Sequence, residues 1–548
     1  MKRSTFTFLL AGLATVFSCT NTENSVRQID ENALNAIQAD SYLAHIKTLS
    51  SDEFQGRKPF TMGDTLTVAY IEAQFKALGL EPGNGSSYFQ EVPMAEITST
   101  PVTKDWTLTG KNGAMTINHL DDFVIGSQRL TDQIQVEETE LVFAGFGVVA
   151  PEYDWNDYEG LDAKGKTVVV MVNDPGFYDK ELFKGDTMTY YGRWTYKFEE
   201  AARQGATGVL IIHETAGASY GWDVVRNGWS GPQLNLVSAD NGASRAAFEG
   251  WLSAEAATKL FQIAGVEEDL IALAKKPGFE PVSLGVTTSV SLNNTFRKST
   301  SNNVVAKIPG TTRGDEVIIY TAHWDHLGIG ASVDGDSVFN GAIDNATGVA
   351  ALFEIAKGFK AAAVQPERSI VFLAVTAEEE GLLGSAYYAE NPIYPLNKTV
   401  ANINMDSFSP IAPTSDFSVV GLGQSDMDDY AKDAAAKQNR TIVAGGNPSA
   451  GSFFRSDHFN FAKVGVPALY SGSGREVIGA NPDETAALLT GFSQRYHTVT
   501  DEVDETWVIE GMVQDMRLLL DLGYTLSMEK TFPNWKTGSE FKEVGEKR

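Results

Sequence analysis

The chain has 548 residues, more than one hydrophobic core usually organises, so two domains or one large domain carrying an insertion are expected. Its 43% hydrophobic and 21% charged residues are those of a globular protein, and 71 acidic against 43 basic residues leave a formal net charge of -28. Such a charge repels phosphate backbones and anionic membrane surfaces, which argues against nucleic acid as a partner; most of it reads as solvated surface.

At the amino terminus Lys2 and Arg3 precede an apolar run from Phe6 through Phe17, which reads as an export signal too short to span a bilayer. Cys19 is the only cysteine, so no internal disulfide can form. With Val16, Phe17 and Ser18 before it, the segment resembles the lipobox of a bacterial lipoprotein, although Phe17 is bulky for its place. The resemblance implies a cleaved signal over residues 1–19, lipidation of Cys19 and a polar tether over residues 20–30. It also implies an exported protein anchored at the outer membrane, facing the periplasm or the exterior. Simple secretory cleavage is the alternative. No later stretch approaches the ~20 apolar residues of a membrane helix, so attachment would be through the lipid alone.

From Ala33 to Leu80 apolar residues recur at helical spacing, with Gly79 as a stop. Between Glu137 and Pro281 the pattern changes to short strands with glycine turns: strands Leu141 to Val149 and Lys166 to Val172, a helix Lys197 to Gln204, and a strand Gly208 to His213. This order predicts a smaller α/β module over residues 136–288, inserted into a larger domain formed by residues 31–135 and 289–530. In the larger domain buried strands alternate with helices. Strands are expected at Glu316 to Thr321, Ser369 to Val375, Val400 to Asn404, Phe417 to Val420 and Val466 to Tyr470, and helices at Val349 to Phe359, Met427 to Gln438 and Val508 to Leu526. The fold class is α/β, with a mainly parallel central sheet flanked by helices. Residues 531–548 read as a polar, loosely held tail.

Open α/β sheets bind ligands beyond the carboxyl ends of their strands, and the metal-competent residues collect there. His323 and Asp325 follow one strand, Glu378 and Glu379 another, and Asp406 a third; Asp344 precedes a helix and His497 lies in the last large loop. Imidazole and carboxylate suit zinc. Two histidines and three carboxylates are too many for one catalytic ion and suit two ions sharing a bridging carboxylate. An additional carboxylate is then needed to move the proton, and Glu378, beside Glu379, is the candidate general base.

The stretches Ala322-His323-Trp324-Asp325-His326-Leu327-Gly328, Asp344-Asn345-Ala346-Thr347-Gly348, Ala377-Glu378-Glu379-Glu380-Gly381, Asn404-Met405-Asp406 and Tyr496-His497-Thr498 resemble, in order, the zinc motifs of the co-catalytic di-zinc aminopeptidase and glutamate carboxypeptidase family. The resemblance implies two Zn2+ ions. Asp344 would bridge them, His323 and Asp406 would complete one site, and Glu379 and His497 the other. Glu378 would be the base, Asp325 would orient the His323 ring, and Tyr496 would hydrogen-bond the oxyanion. Trp324 stands where the family often has tyrosine. Gly165-Lys166-Thr167-Val168-Val169-Val170 and Gly205-Ala206-Thr207-Gly208-Val209 resemble a protease-associated domain, which implies a wall beside the cleft.

Taken singly, His323 reads as a structural histidine, Asp344 as a helix cap and Glu378 to Glu380 as a solvated run; their convergence on one sheet edge favours the metal site. Gly217-Ala218-Ser219-Tyr220-Gly221 matches the nucleophile elbow of serine hydrolases, but the strand and helix that an elbow needs are missing from the pattern. Asp457 and His458 read as supports, outside the ligand set. The expected activity is metal-dependent removal of the first residue from peptides with a free amino terminus. The alternatives are a carboxypeptidase using Arg455, Arg475 or Arg495, a glutaminyl cyclase-like acyl transferase, and a non-catalytic binding protein.

Overall fold

The computed structural model describes residues 28–548, so the export signal, Cys19 and residues 20–27 of the expected tether lie outside the described residues. Residue 30 is already part of the fold: the Asp30 carboxylate caps helix Glu31–Asn35 and accepts a hydrogen bond from the Ala363 amide at 2.7 Å.

Helices α1 (Ala39–Leu49) and α2 (Met62–Ala77) lead into strand β1 (Phe89–Pro101). Next come β2 (Gln133–Phe143), β3 (Thr167–Met171), α3 (Trp194–Arg203), β4 (Gly208–Ile212) and β5 (Phe248–Leu252). The 27-residue strand β6 (Val282–Ile308) follows, then β7 (Arg313–His323), α4 (Thr347–Ala361), β8 (Arg368–Val375) and β9 (Thr399–Met405). β10 (Asp416–Val420), α5 (Met427–Lys437), β11 (Ala468–Gly472) and α6 (Glu510–Met528) complete the larger body.

In that body β8, β7, β9 and β11 lie side by side in parallel, with β6 antiparallel to β8 at one flank and β10 antiparallel to β11 at the other. The expected mainly parallel sheet is therefore present. Its strands are nearly unbroken apolar runs because helices cover both faces. Along β7, Ile318, Tyr320 and Ala322 join the core built by α4 and α6, while Val317 and Ile319 face Tyr388 and Phe461 on the other side. Each such aliphatic side chain contributes about 1.5–3 kcal/mol by burial. The Tyr320 hydroxyl is satisfied by the Leu519 carbonyl at 2.8 Å.

In the smaller body β2, β3, β4 and β5 run parallel in that order. β2 ends at Phe143, short of the expected Val149, since Gly145 and Gly147 adopt φ of 51° and 65° and turn the chain out of the sheet. Two further differences concern the boundaries. Strands Asp105–Gly110, Gly113–Asn118 and Phe123–Gly126 place Trp106, Leu108, Ile117 and Phe123 in one core with Leu141, Phe143 and Leu210 of the smaller body. β6 pairs with β2 through Val282 to Asn293, with β1 through Leu292 to Val304, and with β8 through Val304 to Ile308. The expected boundary at residue 288 thus falls inside one strand that belongs to both sheets.

The tail is packed, not loosely held. Trp535 and Phe541 are 5% and 2% exposed and join Met188, Phe453 and Phe459 in one cluster, and Glu540 pairs with Lys184 of the smaller body. Among the described residues no helix is long and apolar enough to cross a membrane.

Candidate metal centre

The site lies at the carboxyl ends of the parallel strands. His323 is the last residue of β7, Asp406 directly follows β9, Glu378 and Glu379 lie three and four residues beyond β8, and Asp344 sits in the turn leading into α4. His497 follows helix Pro482–Ser493. All five expected ligands and Glu378 come together. His323 Nε2 lies 3.1 Å from Asp344 Oδ1 and 3.2 Å from Asp406 Oδ1, while His497 Nε2 lies 3.4 Å from Asp344 Oδ2 and 2.9 Å from Glu379 Oε2. The two oxygens of Asp344 therefore face two separate donor sets.

His497 Nε2 is buried beside these carboxylates yet makes no hydrogen bond of acceptable geometry, as expected of a donor atom arranged for a cation. The donor types and their crowding fit zinc. Electrostatics agree. Burial raises the Asp344 carboxyl, but His323 and His497 overcome it and hold the group well below the usual carboxylate range. Burial lowers His497, while Asp344 and Glu379 outweigh it and push the ring up to about 10. Burial also pushes Glu378 well above the ordinary carboxyl range; His323 opposes the rise, and Asp406 and Glu379 add to it.

Several supports were not read from the sequence. His326 Nδ1 lies 2.6 Å from Glu379 Oε1, and His326 forms a compact donor group with Asp344 and Glu379. Between His326 and His497, the latter is better placed as a ligand because its Nε2 meets oxygens of both Glu379 and Asp344. Asn345 straddles Asp406: its Nδ2 donates to the Met405 carbonyl at 3.0 Å and its Oδ1 accepts from the Ser407 amide at 3.0 Å. Gly348 permits this approach, since a Cβ there would lie 2.4 Å from Asn345 Oδ1 and from the Met405 carbonyl. Ser456 donates its hydroxyl to Asp406 Oδ2 and accepts from Asn404 Nδ2. Asp501 accepts the amides of Ile343 and Asp344.

Arg57, 1% exposed, lies behind the site. It donates to the carbonyls of Trp324 (2.8 Å), Leu49 (2.8 Å), Asn340 (2.6 Å), Gly341 (2.8 Å) and Asp344 (3.4 Å). Burial lowers its guanidinium to about 10, against the attraction of Asp501, Asp344, Asp325 and Glu379. Its place in a helical amino-terminal stretch gave no sign of this role.

Asp325 acts by a different route from the one expected. His323 Nδ1 faces the Asp325 backbone carbonyl at 3.2 Å, and the carboxylate is 3.9 Å away. The carboxylate instead accepts the amides of Glu378 at 3.0 Å and Glu379 at 3.4 Å. Tyr496 stacks on His497 with ring centroids 3.8 Å apart and is 64% exposed at the cleft. Asp457 is buried and accepts from Ser385, and His458 is sealed between Phe453 and Tyr470. Both are supports. Ser219 has a φ of 67° after the short helix Thr215–Ala218, and Arg455, not a histidine, donates to its hydroxyl at 3.3 Å. It is not a nucleophile elbow.

A cleft of about 710 Å³ opens from Glu378, Glu379, Tyr496 and His497 toward Trp194, Tyr220 and Trp229 of the smaller body. Of the three arginines considered for a carboxypeptidase, only Arg455 lines it; Arg495 is turned to Asp504 at 2.6 Å. A larger cavity of about 980 Å³ between the smaller body and the tail holds none of the candidate ligands.

Imidazole and carboxylate donors paired in this way at the carboxyl edge of a sheet are chemically suited to zinc. Residues 303–516 match the model of peptidase family M28. It is 36% identical over 138 residues to Aminopeptidase NAALADL1 of Mus musculus, a match covering 24% of this chain and 17% of that protein. With Aminopeptidase YwaD of Bacillus subtilis it shares 31% identity over 113 residues, which is 20% of this chain and 22% of the relative. The chain thus matches about a fifth of the length of these two relatives. Among solved structures, the aminopeptidase from Aneurinibacillus sp. strain AM-1 is similar at 19% identity and a TM-score of 0.49, covering 90% of this chain and 95% of the other.

Proposed function

We propose that this protein is an exported, zinc-dependent aminopeptidase that hydrolyses the first peptide bond of short peptides with a free amino terminus. The observation that carries the reading is Asp344, whose Oδ1 faces His323 and whose Oδ2 faces His497. Two ions fit this arrangement: His323, Asp344 and Asp406 would hold one, and Asp344, Glu379 and His497 the other. Bound there, zinc polarises the scissile carbonyl and makes water acidic enough to attack near neutral pH.

The side chains supply the rest. Glu378, raised by burial and not engaged as a ligand, takes the proton of the attacking water and delivers it to the leaving amine. Tyr496 faces the oxyanion from the mouth of the cleft. His326 fixes the orientation of Glu379, and Asp325 positions Glu378 and Glu379 through their amides. The acidic cluster also favours the substrate's protonated amine. In this reading the smaller body is a protease-associated domain that walls the cleft, and Cys19 carries a lipid anchor at the outer membrane.

The test uses matched peptides with free or acetylated amino termini, with and without chelator, and mass spectrometry of the products. Loss of one residue from the free peptide alone, abolished by chelator, is expected; release from the carboxyl end, or turnover indifferent to chelator, sinks the reading. The mass of the mature amino-terminal peptide decides lipidation: an unmodified Cys19 ends that part of the proposal.

A further inference from the structure

Successive side chains of a strand alternate between its faces, so β5 lays Glu249 and Trp251 side by side on one face. Both line the cleft of about 710 Å³ that also holds Glu378, Glu379 and His497, and they are 2% and 1% exposed. Each is left incomplete. Glu249 Oε2 accepts from Gln128 Nε2 at 2.9 Å, whereas Glu249 Oε1 and Trp251 Nε1 are buried without a hydrogen-bond partner. Among the described residues no cation pairs with Glu249: Arg129 spends its guanidinium on the Arg245 carbonyl at 2.5 and 3.1 Å, and Arg245 acts on the carboxylate only through its charge. Burial pushes the Glu249 carboxyl up to about 7; Arg245, Gln128 and Arg129 oppose the rise, and Glu199 adds to it. An acceptor and a donor kept buried and unpaired are costly, and here both call for a partner that enters from the cleft.

The surroundings define that partner. Trp229 lies over Gly126, the register partner of Glu249, where a Cβ would stand 3.7 Å from the indole. The Trp194 ring is 6.5 Å from that of Trp229 and 6.4 Å from that of Trp251. Indole faces beside a carboxylate attract a cation twice, by the ring quadrupole and by the charge. The same wall already makes one such contact, since the Arg193 guanidinium lies 5.6 Å from the centroid of Trp194.

Resting on the aminopeptidase reading, we propose that Glu249, Trp251, Trp194 and Trp229 form a subsite for a lysyl or arginyl side chain of the bound peptide. The cation meets Glu249 Oε1, and Trp251 Nε1 donates to a carbonyl of the same residue. Trp229, half-buried and followed by the exposed Ser230 and Gly231, is the ring that turns aside to admit it.

Alanine tetrapeptides carrying lysine or norleucine at each position in turn test this on the zinc-loaded mature protein. About 0.5 M salt screens the general pull of a chain of net charge -28 but spares a buried pair. At one position at least, lysine should exceed norleucine in kcat/KM by about tenfold or more, the gain expected of a charge-assisted contact. Glu249→Gln should bring that ratio toward one; should this variant fail to fold, Trp229→Leu decides in the same way. A ratio near one at every position overturns the proposal, and so does a lysine preference that survives Glu249→Gln. Titration of the same peptides into zinc-loaded Glu378→Gln, followed by tryptophan fluorescence, reads the preference as a ratio of Kd without turnover. The subsite therefore stands or falls even if no peptide loses its first residue, which keeps its failure apart from failure of the aminopeptidase reading.

Discussion

Replacing Arg57 by Met keeps much of its volume and removes every donor. Four buried carbonyls, those of Trp324, Leu49, Asn340 and Gly341, then lose partners at 2.6 to 2.8 Å. An orphaned buried polar group costs about 1–3 kcal/mol, so four cost at least about 4 kcal/mol if none finds water. That is a large share of a typical stability of about 5–15 kcal/mol. Arg57→Lys keeps the charge but offers at most three donors without the planar fork, and a loss of about 2 kcal/mol is expected. The loops involved also carry His326 and Asp344, which separates two mechanisms. Electrostatics alone predicts tighter zinc binding once a neighbouring cation is removed, whereas loss of loop geometry predicts weaker binding. We expect geometry to win, with zinc affinity about 10- to 100-fold weaker in Arg57→Met. Urea denaturation of chelated protein and zinc competition against a coloured chelator measure the two quantities. An unchanged midpoint, or zinc affinity that rises, would refute the reasoning.

Glu378→Gln should retain its zinc by elemental analysis while kcat falls about 100- to 10,000-fold; full turnover would remove Glu378 as the base. His326→Gln should weaken one of two zinc-binding steps by about tenfold, and a titration indistinguishable from wild type would make His326 a bystander. His458 gives a pH effect on stability. Burial lowers it from 6.5 to about 3, with only the Phe453 backbone acting the other way. The unfolded chain therefore binds a proton that the folded chain refuses, so stability is lost as pH falls below about 6.5 and the loss levels off below about 3. Between about pH 7 and about pH 5 this amounts to about 2 kcal/mol. In chelated protein, His458→Phe should remove that much of the slope, and equal slopes in the two proteins would contradict it.

What could be read in the sequence follows from how each signal arises. β7 and β8 are buried on both faces, so Val317 to Thr321 and Ser369 to Val375 stand out as apolar runs, and ligands just after such runs announce a sheet edge. The strands at Asp105–Gly110 and Gly113–Asn118 bury only alternate residues such as Trp106 and Leu108, a short pattern that resembles loop. Partnerships between distant segments leave no local trace. Arg57 meets carbonyls more than 260 positions away, and nothing around it distinguishes a buried fork from a surface arginine. Trp535 and Phe541 were likewise outweighed by polar neighbours, yet two aromatic residues suffice to fix a tail when a cluster awaits them. His326 was visible inside its motif but had no role until Glu379 appeared 2.6 Å from its ring.

The two bodies share structure that a flexible linker would not provide. β6 belongs to both sheets without interruption. Lys463 pairs with Glu199 at 2.8 Å, Arg455 reaches Ser219, and Phe541 of the tail packs with Met188 of the smaller body. A continuous strand cannot hinge without breaking its ladder of backbone hydrogen bonds, and each bond broken away from water carries the full desolvation penalty. The aromatic wall of Trp194, Tyr220 and Trp229 is therefore held at a set distance from Glu378 and His497 by the backbone itself.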